Sequence, residues 1–233
     1  MEAVVLVGGL GTRLGYLTKL TPKPMLPIRN KPFLELLLKS VKKKGIDRVV
    51  LAVGYQKEVV QSYFDTNDRD LPQIVFSVED KPLGTGGAIC QALMQTESDS
   101  VFVLNGDSYL DLSFQDMKDQ HEKANCDITI ASCFVRPADR YGVMQVNDER
   151  QVISFEEKGK KPEGLINGGV YLLNKVIMRR VLDKIVEIPY SFEEDVLANR
   201  TLELIKCHFQ VDGYFLDIGV PFDYEKAQKE LYI

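Results

Sequence analysis

Four charged side chains stand where chemistry on phosphate groups would need them: Arg13, Lys23, Asp107 and Asp217. Arg13 lies in the run Gly8-Gly9-Leu10-Gly11-Thr12-Arg13-Leu14-Gly15, which follows the apolar stretch Ala3 to Val7 without a break. Glycines let backbone N–H groups approach phosphate oxygens with no Cβ in the way. Lys23 follows between Pro22 and Pro24, which fix φ and disfavour helix, so the spacing predicts a lysine held on an extended, stiff segment. An arginine forks onto phosphate oxygens while a lysine acts as a point charge, and together they suit a triphosphate that loses pyrophosphate. Either cation alone reads as a solvated loop charge; the combination behind a buried strand points to an anion site.

Two familiar glycine loops are excluded by counting. A dinucleotide fingerprint needs glycine where Leu14 stands and a helix where the chain instead runs through Thr21-Pro22-Lys23-Pro24. An ATPase-type loop needs Gly-Lys-Ser/Thr five residues after its first glycine, which no register supplies. A nicotinamide-dependent dehydrogenase is disfavoured accordingly.

The carboxylates complete the set. Asp107 follows the apolar run Val101 to Leu104 through Asn105-Gly106, and Asp217 closes Tyr214-Phe215-Leu216 ahead of Ile218-Gly219-Val220-Pro221. Spacing alone leaves Asp107 equally open to a plain turn residue and Asp217 to a buried pair with an arginine. Bringing an anionic nucleophile to a triphosphate calls for a divalent cation, and magnesium accepts few carboxylates among waters and phosphates. No general base is required, because a phosphate nucleophile is already ionised at neutral pH; catalysis would be positioning and electrostatics.

These groups need a scaffold that gathers distant segments. Apolar runs at Ala3 to Val7, Arg48 to Val53, Ile74 to Val78 and Val101 to Leu104 alternate with helical patterns at Phe33 to Lys44, Gln56 to Phe64 and about Gly87 to Met94. That rhythm predicts a parallel sheet covered on both faces, whose ligands bind at the strands' carboxyl ends. After a helix at Ser113 to Lys123 come Ile128 to Cys133, Val143 to Val146, Val152 to Phe155 and Gly169 to Leu173, predicted to be partly antiparallel strands. Helices near Lys175 to Val186 and Phe192 to Arg200, strands at Leu204 to Phe209 and Tyr214 to Ile218, and a helix opened by Pro221 are expected to finish the chain. Its 233 residues are expected to form one domain: a first part to about residue 110, a second from about 111 to 220, which the resemblance below implies to be nucleotide-binding and sugar-binding respectively, and a terminal helix over 221–233.

Composition narrows the function further. A formal net charge of -5 would repel duplex nucleic acid, and no apolar run is long enough to span a bilayer. The amino terminus enters a strand pattern with no basic leader, so a cytoplasmic location is expected. Cys90, Cys126, Cys133 and Cys207 form no Cys-x-x-Cys pair, and His121 and His208 lack metal-spaced partners. Reduced, packed thiols and no zinc site are expected.

The stretch Gly8 to Leu14 with Pro22-Lys23-Pro24-Met25 resembles the signature of the sugar 1-phosphate nucleotidyltransferases. Pro82-Leu83-Gly84-Thr85-Gly86-Gly87-Ala88, Asn105-Gly106-Asp107, Tyr141-Gly142-Val143, Glu156-Glu157-Lys158, Asn167-Gly168-Gly169 and Asp217-Ile218-Gly219 follow in that family's order. The resemblance implies a Rossmann-like, doubly wound, mostly parallel mixed α/β sheet with a small antiparallel sugar-binding subdomain. It implies Mg2+ held by Asp107 and Asp217, and Arg13 and Lys23 as catalytic cations. The implied nucleotide-binding set is Leu6, Gly8, Gly9, Gly11, Thr12, Glu79, Gly84, Thr85, Gly86 and Asp107, with Glu79 towards the base and Gly86 near the nucleoside. Gly142, Glu157, Lys158, Asn167, Gly168 and Gly169 are implied to bind the sugar phosphate. From spacing, Thr85 is also a candidate helix N-cap.

The pattern is most similar to the branch that uses GTP and heptose 1-phosphate. Rivals are glucose, mannose or N-acetylmuramic acid 1-phosphate with UTP, dTTP or GTP, and a non-catalytic sensor, against which the full charge set counts. Val7, where alanine is usual, and Phe222, where an acidic residue often follows proline, depart from the family. The partners expected are a nucleoside triphosphate and a sugar 1-phosphate, with neither nucleic acid nor membrane. A homo-oligomer is left open, and a second acetyltransferase-like domain is not expected.

Overall fold

The computed structural model describes residues 1–9, 14, 15, 18, 21–65, 70–156, 159, 161–185 and 188–231. In chain order the strands are β1 (Glu2–Leu6), β2 (Pro27–Ile28), β3 (Lys31–Pro32), β4 (Arg48–Val53), β5 (Gln73–Val78), β6 (Ser100–Asn105) and β7 (Ser108–Leu110). They continue with β8 (Ile128–Val135), β9 (Val143–Val146), β10 (Val152–Glu156), β11 (Gly164–Asn174), β12 (Lys206–Val211) and β13 (Phe215–Asp217). The α-helices are α1 (Phe33–Lys43), α2 (Lys57–Phe64), α3 (Gly84–Leu93), α4 (Phe114–Ala124), α5 (Lys175–Leu182) and α6 (Pro221–Glu230).

Strands β6, β1, β4 and β5 lie side by side and parallel. Alternation along β1 divides its side chains between two cores. Ala3 and Val5 join Phe33, Leu34 and Leu38 of α1 on one face, while Val4 joins Ile89 and Leu93 of α3 and Met178 of α5 on the other. All are buried, and each large aliphatic chain so removed from water contributes about 1.5–3 kcal/mol. The doubly wound architecture therefore follows from the unbroken apolar strands.

Beyond β6 the sheet changes character. β11 pairs antiparallel with β6 and with β8, and β8 carries β12 parallel on its far edge. The first half of β11 also takes β9 antiparallel, and β10 follows β9. The register on β8 slips between Asn167 and Val170, where Gly169 sits at φ +74°. This bulge is pressed against β6 and β7: a Cβ on Gly169 would lie 2.8 Å from Ser108 Oγ and 2.9 Å from Asn105 Nδ2.

Several expectations are corrected. α3 begins at Gly84 and not near Gly87, and Leu83 stands at its N-cap, so Thr85 lies within the first turn and is not the cap. Lys23 to Met25 form one 3₁₀ turn, because φ near the proline value serves that turn as well as an extended chain. The stretch after Ser191 is a single π-helical turn, Phe192–Leu197, capped by the Ser191 hydroxyl. Cys126 and Cys207 are disulfide-bonded, leaving Cys90 and Cys133 as thiols. The pairing of β12 with β8 brings together two cysteines 81 positions apart, which no local spacing could show. Among the described residues, no helix is long and apolar enough to cross a membrane.

Candidate active site

The carboxyl ends of β1 and β6 meet at a contact only glycine permits. Gly106 N–H donates to the Leu6 carbonyl at 2.9 Å, and a Cβ on Gly106 would lie 2.4 Å from that oxygen. The chain can therefore turn tightly over the end of β1 and present Asp107. The short strands β7 and β13 then align Asp217 with Ser108, and Ile218 N–H donates to the Asp107 carbonyl at 3.0 Å. Two aspartates distant in sequence thus reach neighbouring positions.

Lys23 joins them from the 3₁₀ turn. Its Nζ lies 2.5 Å from Asp107 Oδ2 and 3.6 Å from Asp217 Oδ1, and Lys23 is only 6% exposed. A buried ammonium is costly unless paired, and here it relieves the repulsion between two carboxylates. Gly219 leaves room beside them, since a Cβ there would come within 2.9 and 3.0 Å of the two Asp217 carboxylate oxygens.

Lys23, Asp107 and Gly219 face a cavity of about 350 Å3, which Leu6, Gly9, Asn105 and Glu193 also line. A second cavity of about 530 Å3 adjoins it through Leu6, Gly9 and Thr85, and is walled by Gly8, Gly54, Tyr55, Glu79, Lys81 and Gly84. Glu79 is fixed in this wall: its Oε2 accepts from Leu83 N–H at 3.0 Å, and Oε1 lies under Gly8, where a Cβ would be 3.3 Å away. Burial pushes its pKa above the usual carboxylate value, and the Leu83 N–H only partly opposes this.

The glycines of the Pro82 to Gly87 loop meet protein. A Cβ on Gly84 would strike the Tyr190 carbonyl at 2.2 Å, and one on Gly86 the Tyr190 ring at 2.1 Å. Tyr190 N–H donates to the Leu83 carbonyl, and the Tyr190 carbonyl accepts from Gly86 N–H, both at 3.1 Å. The loop is thereby clamped to the segment that carries Glu193.

Glu193 escaped the sequence reading. It stands in the acidic run Glu193-Glu194-Asp195, which resembles any solvated first helical turn, yet Glu193 lines the smaller cavity. Its carboxylate accepts from the Thr85 hydroxyl at 3.0 Å and the Tyr171 hydroxyl at 3.3 Å. Tyr171 in turn accepts from Asn167 Nδ2 at 2.9 Å, and Asn167 Oδ1 holds Gly169 N–H at 2.9 Å.

Of the residues expected from sequence, Leu6, Gly8, Gly9, Lys23, Glu79, Gly84, Thr85 and Asp107 line the two cavities. Asp217 touches the cluster through Lys23. Gly86 faces Tyr190. Gly142 lies against the end of β10, with the Glu156 carbonyl 3.1 Å from a Cβ placed on it, and Gly168 is covered by Leu110 and Ala131. Arg13, Gly11, Thr12, Glu157 and Lys158 lie outside the described residues.

Residues 2–232 match the family of nucleotidyl transferases. The chain is 43% identical to a D-glycero-alpha-D-manno-heptose 1-phosphate guanylyltransferase of Aneurinibacillus thermoaerophilus, over 99% of this chain and 98% of that one.

The chain belongs to the sugar 1-phosphate nucleotidyltransferase family.

A protein of the same description from Campylobacter jejuni is 44% identical, over 96% of this chain and 97% of that one. In structure, HddC from Yersinia pseudotuberculosis complexed with GMP-PN superposes with a TM-score of 0.86 at 34% identity, covering 98% of both chains. The transferase joins a nucleotidyl group from a nucleoside triphosphate to a sugar 1-phosphate and forms a nucleotide sugar.

Proposed function

We propose that the enzyme transfers GMP from GTP to D-glycero-α-D-manno-heptose 1-phosphate, with Mg2+ as cofactor and pyrophosphate as the second product. The observation that carries this reading is the Lys23, Asp107 and Asp217 cluster at the mouth of a cavity whose neighbour holds Glu79. Asp107 and Asp217 would hold the metal. Two carboxylates close enough to share one ammonium, with the space beside Gly219 kept clear, fit an ion that keeps waters and phosphate oxygens as its other ligands. When bound, it would screen charge on the phosphates.

The protein's own groups do the rest. Gly8 and Gly9 offer backbone to the phosphates without steric cost, and Lys23 directs positive charge at the transferring phosphoryl group. Arg13 is assigned to the leaving pyrophosphate on sequence grounds. The sugar phosphate attacks in line, already ionised, while Gly142, Glu157, Lys158, Asn167, Gly168 and Gly169 orient it.

The choice of base rests on Glu79. A carboxylate only accepts, and guanine offers two adjacent donors, N1–H and N2–H, whereas uracil and thymine offer one donor between two acceptors. The placement of Glu79 in the larger cavity supports GTP, as do the guanyl-named relatives and the GMP-PN complex of the structural neighbour.

The test is pyrophosphate release over a grid of GTP, UTP, dTTP and ATP against heptose, mannose and glucose 1-phosphates, with and without chelator. Release confined to GTP with the heptose phosphate, and abolished by EDTA, is expected. Equal rates with mannose 1-phosphate would remove the heptose assignment, and full activity in EDTA would remove the metal.

A further inference from the structure

Tyr171 is 0% exposed, so neither substrate can touch it, yet its hydroxyl lies between two groups at the site. It accepts from Asn167 Nδ2 at 2.9 Å and donates to Glu193 Oε1 at 3.3 Å. The other oxygen of Glu193 is held by Thr85 at 3.0 Å, and Thr85 Oγ1 also accepts from Phe192 N–H at 2.8 Å. A continuous chain of hydrogen bonds thus runs from the β11 bulge, through a buried phenol and a cavity carboxylate, to the first turn of α3. Both ends sit on irregular backbone, the bulge at Gly169 and the loop at Gly84, each with positive φ.

A phenol used only to fill the core would leave a buried hydroxyl with no purpose, and phenylalanine would fill the space at lower cost. The ring already has its packing, edge-on to Phe192 at 5.2 Å. Burial and the neighbouring Glu193 carboxylate push the Tyr171 pKa well up, so the hydroxyl stays protonated and donates.

We propose that Tyr171 is a positioning residue: through Glu193 and Asn167 it holds the sugar-side wall in register with the nucleotide loop, so that both substrates meet in one geometry. This rests on the proposed reading of Glu79 and the glycine loops as the nucleotide side and of Asn167 to Gly169 as the sugar 1-phosphate side. Removing the hydroxyl frees one oxygen of Glu193 and one donor of Asn167, while Thr85 still anchors the nucleotide side. The loss therefore falls on the sugar.

The experiment is a double-mutant cycle on Tyr171→Phe and Glu193→Gln, with steady-state kinetics for each substrate and a crystal structure of Tyr171→Phe. In the wild-type background Tyr171→Phe should raise KM for the sugar 1-phosphate about tenfold while KM for the triphosphate stays within about twofold. In the Glu193→Gln background the same change should cost less than about threefold. The crystal structure should show the Glu193 carboxylate turned from its place. Equal costs in both backgrounds, both KM values raised together, or an unmoved Glu193 and Asn167 in the variant would overturn the proposal. Wild-type enzyme that releases no pyrophosphate from any substrate pair would instead refute the underlying functional reading, and the variant's structure would still decide the positioning claim.

Discussion

The two cavities at the carboxyl edge of the sheet are walled by different materials. The larger is built mostly from backbone and small residues, Gly8, Gly9, Gly54, Gly84 and Ala88, with Glu79 as its half-buried carboxylate. The smaller is built from charged side chains that arrive from separate segments, with Lys23, Asp107 and Glu193 on its wall and Asp217 behind Lys23. Backbone walls set shape, and one acceptor is enough to choose a base. Charged walls set potential, and every member depends on the others. The first region should therefore change its preference when altered, and the second should lose its function.

The largest effect is expected at the charged wall. Asp107→Asn should lower kcat on the order of a thousandfold with circular dichroism unchanged, because β7 and β13 stay paired through their backbones. A fall of less than about tenfold would erase the distinction between the two regions.

In the backbone wall, Glu79→Gln should reduce the preference for GTP over UTP by roughly 10–100-fold, measured as the ratio of kcat/KM values. The amide adds a donor that the second carbonyl of uracil can use. An unchanged ratio would take Glu79 out of base selection.

The same residue sharpens the comparison through pH. Glu79 has a folded pKa raised above its ordinary value by burial. Between the ordinary and raised values the folded state binds more protons than the unfolded chain, so stability falls as pH rises through that window, and the cost persists above it. Glu79→Gln should therefore raise Tm slightly at pH 7, and the gain should vanish below the ordinary carboxylate pKa. KM for GTP should rise as pH falls through the raised pKa. A Tm difference independent of pH would contradict the assignment of the shift to burial.

The smallest effect on activity is expected far from both cavities. Cys126 and Cys207, 81 positions apart in sequence, are joined at the β8–β12 edge. Replacing both with serine should cost about 2–4 kcal/mol of stability in a denaturant titration while kcat stays within about twofold. A large loss of kcat would show that the sheet edge and the site are not independent.

Much of this division was legible in the sequence. The strands β1, β4 and β6 are written as unbroken apolar runs because both faces are covered, and the glycine turn and Asn-Gly-Asp sit at their ends. Lys23, Asp107 and Asp217 were singled out by type and position, and the fold brings these three together. What was not legible depends on long-range pairing. The inward turn of Glu193 is set by Thr85 and Tyr171, more than twenty positions from it on separate elements. The Cys126–Cys207 bond follows from strand order, and Thr85 lost its expected cap role because the Tyr190 backbone, by pairing with Leu83 and Gly86, lets α3 start early at Gly84.

As proposed, two aspartates and a lysine form one electrostatic centre serving a divalent cation. Pyrophosphate release by Asp217→Asn, followed as a function of Mg2+ concentration, tests it most directly. The Mg2+ needed for half-maximal rate should rise at least about tenfold, consistent with loss of one of few protein ligands. A variant with wild-type magnesium dependence and turnover would contradict it.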